Sequence, residues 1–130
     1  MVSIELTRED LIVHIHGWDK LRAMRSALTV PLGHVTGVRA QPQEAHFDDV
    51  IIESWRGIGT YVPGKIAAGT CYVDGGRIFF DVQDPQKTIA IDVRDEAIQH
   101  IVVELADEAP EQAVQRIQKA LGAESVSPDA

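Results

Sequence analysis

The feature that most constrains this chain is a two-residue apolar rhythm, confined to short runs and repeated along most of its length. Val2, Ile4 and Leu6 alternate with polar neighbours, and Leu11, Val13 and Ile15 repeat the pattern after a polar Thr7-Arg8-Glu9-Asp10 turn. Side chains of a strand point alternately to its two faces, so this rhythm predicts half-buried strands, the first two forming a hairpin. The pattern recurs in Leu28 to Leu32 and Val35 to Val38, then in 65–73, 77–82, 88–93 and 98–105. Asp74-Gly75-Gly76 is a tight hairpin signal, because glycine reaches positive φ without steric cost. The later strands read as a meander of antiparallel neighbours.

Two segments break the rhythm. Trp18 to Ala27 places Trp18, Leu21 and Met24 or Arg25 at helical spacing, with Asp19 early and Arg22 and Arg25 late, and predicts a short helix. Pro110-Glu111 suits a first helical turn, and Ala113, Val114, Ile117, Ala120 and Leu121 then share one face, with Gly122 as the stop. About seven antiparallel strands and one C-terminal amphipathic helix predict a mainly β domain over 1–122. Its sheet must curl into a partly open barrel capped by the helix, because a flat single layer leaves one face bare. Residues 123–130 are small and polar and read as a flexible tail.

Charge narrows the partners. Twelve Lys and Arg face twenty Asp and Glu, a net charge of −8. A general nucleic-acid binder needs a basic footprint, which this balance does not provide. The charge is polarised, net +1 over residues 1–39 and net −9 over 40–130. A surface for an anionic group therefore belongs to the first third or its neighbours. No apolar run approaches the roughly 20 residues a membrane span needs, and no signal peptide is visible. The expectation is a cytoplasmic protein without membrane insertion.

His14 and His16 alternate onto one strand face with Asp19 three residues beyond, a weak candidate metal set. The inward alternation of Leu11, Val13 and Ile15 instead turns both histidines to solvent. His34, His46 and His100 are scattered, with His100 sharing an outward face with Val102 and Glu104. The single cysteine, Cys71, excludes an intramolecular disulfide and reads as a small filler of the sheet. Gly59 to Lys65 has P-loop spacing, but Ile66 stands where Ser or Thr is needed and a strand follows instead of a helix. Asp81, Asp84, Asp92, Asp95 and Glu96 lack calcium-loop spacing and read as outward charges protecting sheet edges. No catalytic constellation emerges, so the expectation is a non-enzyme with no cofactor.

The best surface candidate is the glycine-rich stretch 55–65, read as a long loop carrying Trp55, Arg56, Tyr61 and Lys65 beside a basic patch at Arg22 and Arg25. Trp, Tyr and Arg dominate interface hot spots. The other reading packs Trp55 and Tyr61 over the barrel mouth.

Several local signatures together resemble the bacterial pleckstrin-homology-like (PH-like) domains. Val30-Pro31-Leu32-Gly33-His34-Val35-Thr36-Gly37-Val38 is similar to an I-P-L-x-x-I-x-x-V stretch of that family. Gly69-Thr70, Gly75-Gly76-Arg77-Ile78-Phe79-Phe80 and Ile89-Ala90-Ile91-Asp92-Val93 follow its G-T, G-x-x-F-F and I-x-I-x-L succession. The resemblance covers residues 2 to 122 and departs in 40–64 and in the helix after Trp18. It implies a partly open seven-stranded barrel used as a binding or assembly module, with a protein partner or a homo-oligomer in view. It does not imply phosphoinositide binding, since the first hairpin loop holds Arg8 against Glu9 and Asp10. The alternative reading is a small-ligand carrier or minor enzyme using the barrel mouth.

Overall fold

A computed structural model describes residues 1–51, 56–73 and 76–125, the last three by backbone alone. Among these residues nine strands form two sheets. The smaller holds β1 (Val2–Leu6), β2 (Asp10–Ile15) and β3 (Ala27–Pro31) in that order. The larger holds β4 (Val35–Ala40), β5 (Gly57–Val62), β6 (Ile66–Val73), β7 (Gly76–Val82), β8 (Thr88–Val93) and β9 (His100–Glu104), in the order β4-β8-β9-β7-β6-β5. The described residues also form three α-helices, α1 (Asp19–Ala23), α2 (Phe47–Val50) and α3 (Pro110–Ser125), and three single-turn 3-10 helices. The fold is mainly β with a C-terminal helix, and the sheets do not close into a barrel.

Alternation decides which side chains meet. Leu11, Val13 and Ile15 turn inward from β2 and join Phe79, Ile89, Ile91, Ile101 and Val103 between the sheets. Helix α3 seals this core with Ala113 and Ile117, both fully buried. Arg116 fixes the helix by donating to Ile4 O at 3.0 Å while pairing with Glu108. The opposite face of the large sheet is also covered. Ala45, Phe47 and Ile51 pack there on Ala67, Phe80, Val82, Ala90 and Val102.

Four sequence expectations are corrected. The strands do not run as a meander, because β9 inserts between β7 and β8 and lies parallel to β7. The cause is at the exit of β7. Glu104, buried at the end of β9, accepts the Gln83 and Asp84 amides at 2.8 and 2.7 Å, so the chain turns across the end of β9 and β8 forms beyond it. Second, Gly57–Val62 is not a loop but the edge strand β5, paired antiparallel to β6. Third, α1 spans only five residues. Met24 adopts left-handed φ 58° and the Arg25 amide bonds back to Lys20 O, which closes the helix early. Fourth, α3 runs through Gly122 to Ser125.

Two charges expected to face outward are also inside. Asp81 lies between the sheets at 1% exposure, and Glu104 faces the covered side. The residues Asp74 and Gly75 of the expected tight turn lie outside the described residues.

Candidate interaction surface

The surface begins with α1. Gly17, at φ +63°, ends β2 and lets the chain turn into the helix. Asp19 and Ala23, one helical turn apart, face inward and are buried. Trp18, Leu21 and Met24 consequently face out, at 74%, 66% and 67% exposure. The helix lies against β5 and β6. It is tied down by Thr60 Oγ1, which donates to Arg22 O at 3.2 Å, and by the Met1 α-ammonium, which bonds Asp19.

Beside it runs β5. Ile58 and Val62 pair with Thr70 and Ile66 and project toward the α1 side, where Ile58 is 55% exposed. Among the described residues, the outer edge of β5 has no neighbouring strand. The Tyr72 amide bonds Arg56 O at 2.6 Å, and inward bonding then alternates along an antiparallel pair. The outward amides are therefore those of Gly57, Gly59 and Tyr61. An apolar stripe thus borders a strand edge that no other strand covers among the described residues, a combination that marks interaction sites.

Between β3 and the large sheet opens a cleft of about 190 Å³. Leu28, Val30, Ile98 and Ile101 give it an apolar lining, and Arg25, Thr29, Thr70 and Arg77 add polar groups. The Arg77 guanidinium stacks 5.0 Å from the Tyr72 ring centroid. Among the described residues neither Arg25 nor Arg77 has a carboxylate partner. Glu96 also lines the cleft, its Oε1 3.5 Å from His34 Nδ1.

The residues proposed from sequence are not all on this surface. Arg22 and Arg25 belong to it, although Arg22 Nη1 lies 3.5 Å from Asp19. Lys65 is exposed in the turn after β5. Tyr61 faces the other way. Its ring meets Phe47 edge-on at 6.0 Å, its hydroxyl donates to Asp48 at 2.6 Å, and that bond pushes its pKa up to about 12. Arg56 is exposed at the head of β5, and its carbonyl receives the Tyr72 amide. Trp55 lies outside the described residues. Leu21, Met24, Ile58, Tyr72 and Arg77 belong to the surface and were missed. Leu21 and Met24 carried the helical spacing of a buried face, and only the docking of α1 shows which face that is.

The candidate metal residues are engaged separately. His14 Nε2 lies 2.7 Å from Glu5, His16 Nε2 lies 2.7 Å from Ser3 Oγ, and Asp19 holds the Met1 ammonium. Among the described residues no group of three His, Cys, Asp or Glu is placed to hold a metal ion. Cys71 is buried, and loss of hydration pushes its thiol pKa up, away from the reactive thiolate.

The opposite face of the large sheet carries a polar clamp. Arg39 on β4 binds Glu44 through Nη1 and Nη2, at 3.1 and 2.5 Å, and Asp92 on β8 through Nε and Nη2, at 3.1 and 2.8 Å. His100 Nδ1 on β9 lies 2.7 Å from Asp92. Burial drives the Asp92 pKa upward, but the bonds from Arg39 and His100 outweigh it and hold the group below the ordinary carboxylate range. With all these groups paired to one another, the clamp staples three strands to the 43–45 turn.

No family model, no curated protein and no solved structure matches the chain. No helix among the described residues is long and apolar enough to cross a membrane.

Proposed function

We propose that the chain is a non-enzymatic binding or assembly module that engages a protein partner or a second copy of itself. Its working surface is the outer face of α1 together with the edge of β5. The observation that carries this reading is the stripe Trp18, Leu21 and Met24, left exposed on a helix whose other face is buried. Three large apolar side chains within the seven residues 18–24, on α1 and its two caps, cost solubility unless something covers them. Basic side chains surround the stripe at Lys20, Arg22 and Arg25, in a chain of net charge −8, and this favours an acidic partner. The sequence resemblance to bacterial PH-like domains, together with a mainly β fold that ends in a helix, supports an assembly role. The parallel β7–β9 pair departs from the simple meander the resemblance suggested.

The experiment is light scattering combined with retention of proteins on the immobilised chain. Self-association, or a defined partner retained by the wild type and lost from Leu21→Glu at unchanged melting temperature, supports the reading. A strict monomer that retains nothing refutes it.

A further inference from the structure

We propose that the cleft between β3 and the large sheet binds an extended acidic peptide, which adds as a strand to β3 and places a carboxylate side chain between Arg25 and Arg77. The inference rests on the binding-module reading and names the partner's chemistry.

The first support is the β3 edge itself. The Ile15 amide bonds Ser26 O at 2.9 Å and the Leu32 amide bonds Glu9 O at 2.9 Å. Inward bonding therefore falls on Ser26, Leu28, Val30 and Leu32, and the backbone of Ala27, Thr29 and Pro31 points away from β2. Among the described residues no strand lies on that side. Proline has no N–H, so the free donors are the amides of Ala27 and Thr29, enough to register a short strand and no more. This edge borders the cleft, which Thr29 lines. Main-chain pairing along an exposed edge, with side-chain pockets beside it, is how strand addition combines affinity with selectivity.

The second support is charge. Twenty carboxylates serve twelve cations in this chain; Arg22 and Arg116 each hold one, and Arg39 holds two. Arg25 and Arg77, on opposite walls of the same cleft, hold none among the described residues. Tyr72 stacks on Arg77 and limits its freedom, so less entropy is lost when a carboxylate docks. The third support is size. About 190 Å³ is below the range of drug-sized ligand sites, yet it suits one or two side chains over an apolar floor of Leu28, Val30 and Ile101.

The test titrates the full chain with a fluorescein-labelled hexapeptide of alternating valine and glutamate, followed by anisotropy. Binding is expected to weaken at least about tenfold when glutamine replaces glutamate, and by a similar factor in Arg25→Ala and in Arg77→Ala. It is also expected to weaken as salt rises, and Lys119→Ala leaves it unchanged. Thr29→Pro removes an outward donor without touching the β2 ladder and abolishes binding. Should that variant fail to fold, a peptide N-methylated at alternate amides makes the same test from the other side. Equal affinity for the glutamine peptide, or for the N-methylated one, overturns the inference. So does glutarate alone binding as tightly as the peptide, which marks a small-anion site. Peptide affinity that falls in Leu21→Glu but not in Arg25→Ala or Arg77→Ala also overturns it, while leaving the α1 surface standing.

Discussion

The α-ammonium of Met1 lies 3.1 Å from Oδ2 of Asp81, a carboxylate buried between the two sheets. The same ammonium bonds Asp19, so one cation joins the start of β1, helix α1 and the end of β7. This junction fixes α1 over the large sheet and thereby sets which of its faces is left exposed. Loss of hydration raises the Asp81 pKa, and the ammonium offsets only part of that rise.

A pH signature follows from that balance. Because the folded-state pKa is raised, the folded chain holds the Asp81 proton more tightly than the unfolded chain does. Its contribution is therefore fully present below the ordinary value of 3.8 and is lost as pH rises through the folded-state value. Asp81→Asn removes this decline. Urea unfolding of the two proteins at a series of pH values is expected to show a flatter profile for the variant. Its stability at pH 7 should equal or exceed that of the wild type. A variant clearly weaker than the wild type at pH 7 contradicts the assignment.

Asp92 carries the opposite sign. Its folded-state pKa is depressed by Arg39 and His100, so its contribution is present above the ordinary carboxylate value and disappears as pH falls through the lowered one. Asp92→Asn is expected to cost about 1 kcal/mol at neutral pH, a modest figure because Arg39 is partly exposed and solvent screens the pair. In strong acid the variant and the wild type converge. Denaturant midpoints at both ends of the pH range check this.

Much of the core was legible in the sequence, because alternation alone names the inward residues of β1, β2, β8 and β9. Strand order was not, since a strand with both faces covered has the same rhythm wherever it sits in the sheet. Nothing local distinguishes β9 beside β7 from β9 at an edge. The decisive contact is Glu104 on the Gln83 and Asp84 amides, across twenty residues of chain. The interaction surface was legible in part. Arg22 and Arg25 stood out as a cationic patch, but the glycines of β5 disguised a strand as a loop. Tyr61 could not be assigned a face before its segment was known to be a strand.

The exposed stripe makes a prediction about stability. Leu21 and Met24 touch solvent over most of their surface, so Leu21→Glu and Met24→Lys should change the unfolding free energy by no more than about 0.5 kcal/mol. Ala23→Glu, one position away but buried, is expected to cost several times as much, because a charge would be taken out of water without a partner. Thermal melts of the three variants test whether α1 docks by the face described.

Those same glycines give the sharpest test of the β5 strand. Gly59 and Gly69 face each other across β5 and β6 at φ +134° and +137°. A Cβ added to Gly69 would sit 2.1 Å from Ile58 O and 2.7 Å from the Gly59 Cα, against backbone that has no flexible end to move aside. Gly69→Ala must therefore push β5 away from β6 or strain both strands, at about 1–3 kcal/mol. The loss should be local. Amides of Ile58, Thr60 and Val62, which bond toward β6, should exchange with solvent faster, while those of β8 and β9 keep their protection. Uniform acceleration across both sheets would show that β5 unfolds only with the whole domain. Unchanged exchange throughout would mean that the two strands do not approach as closely as described.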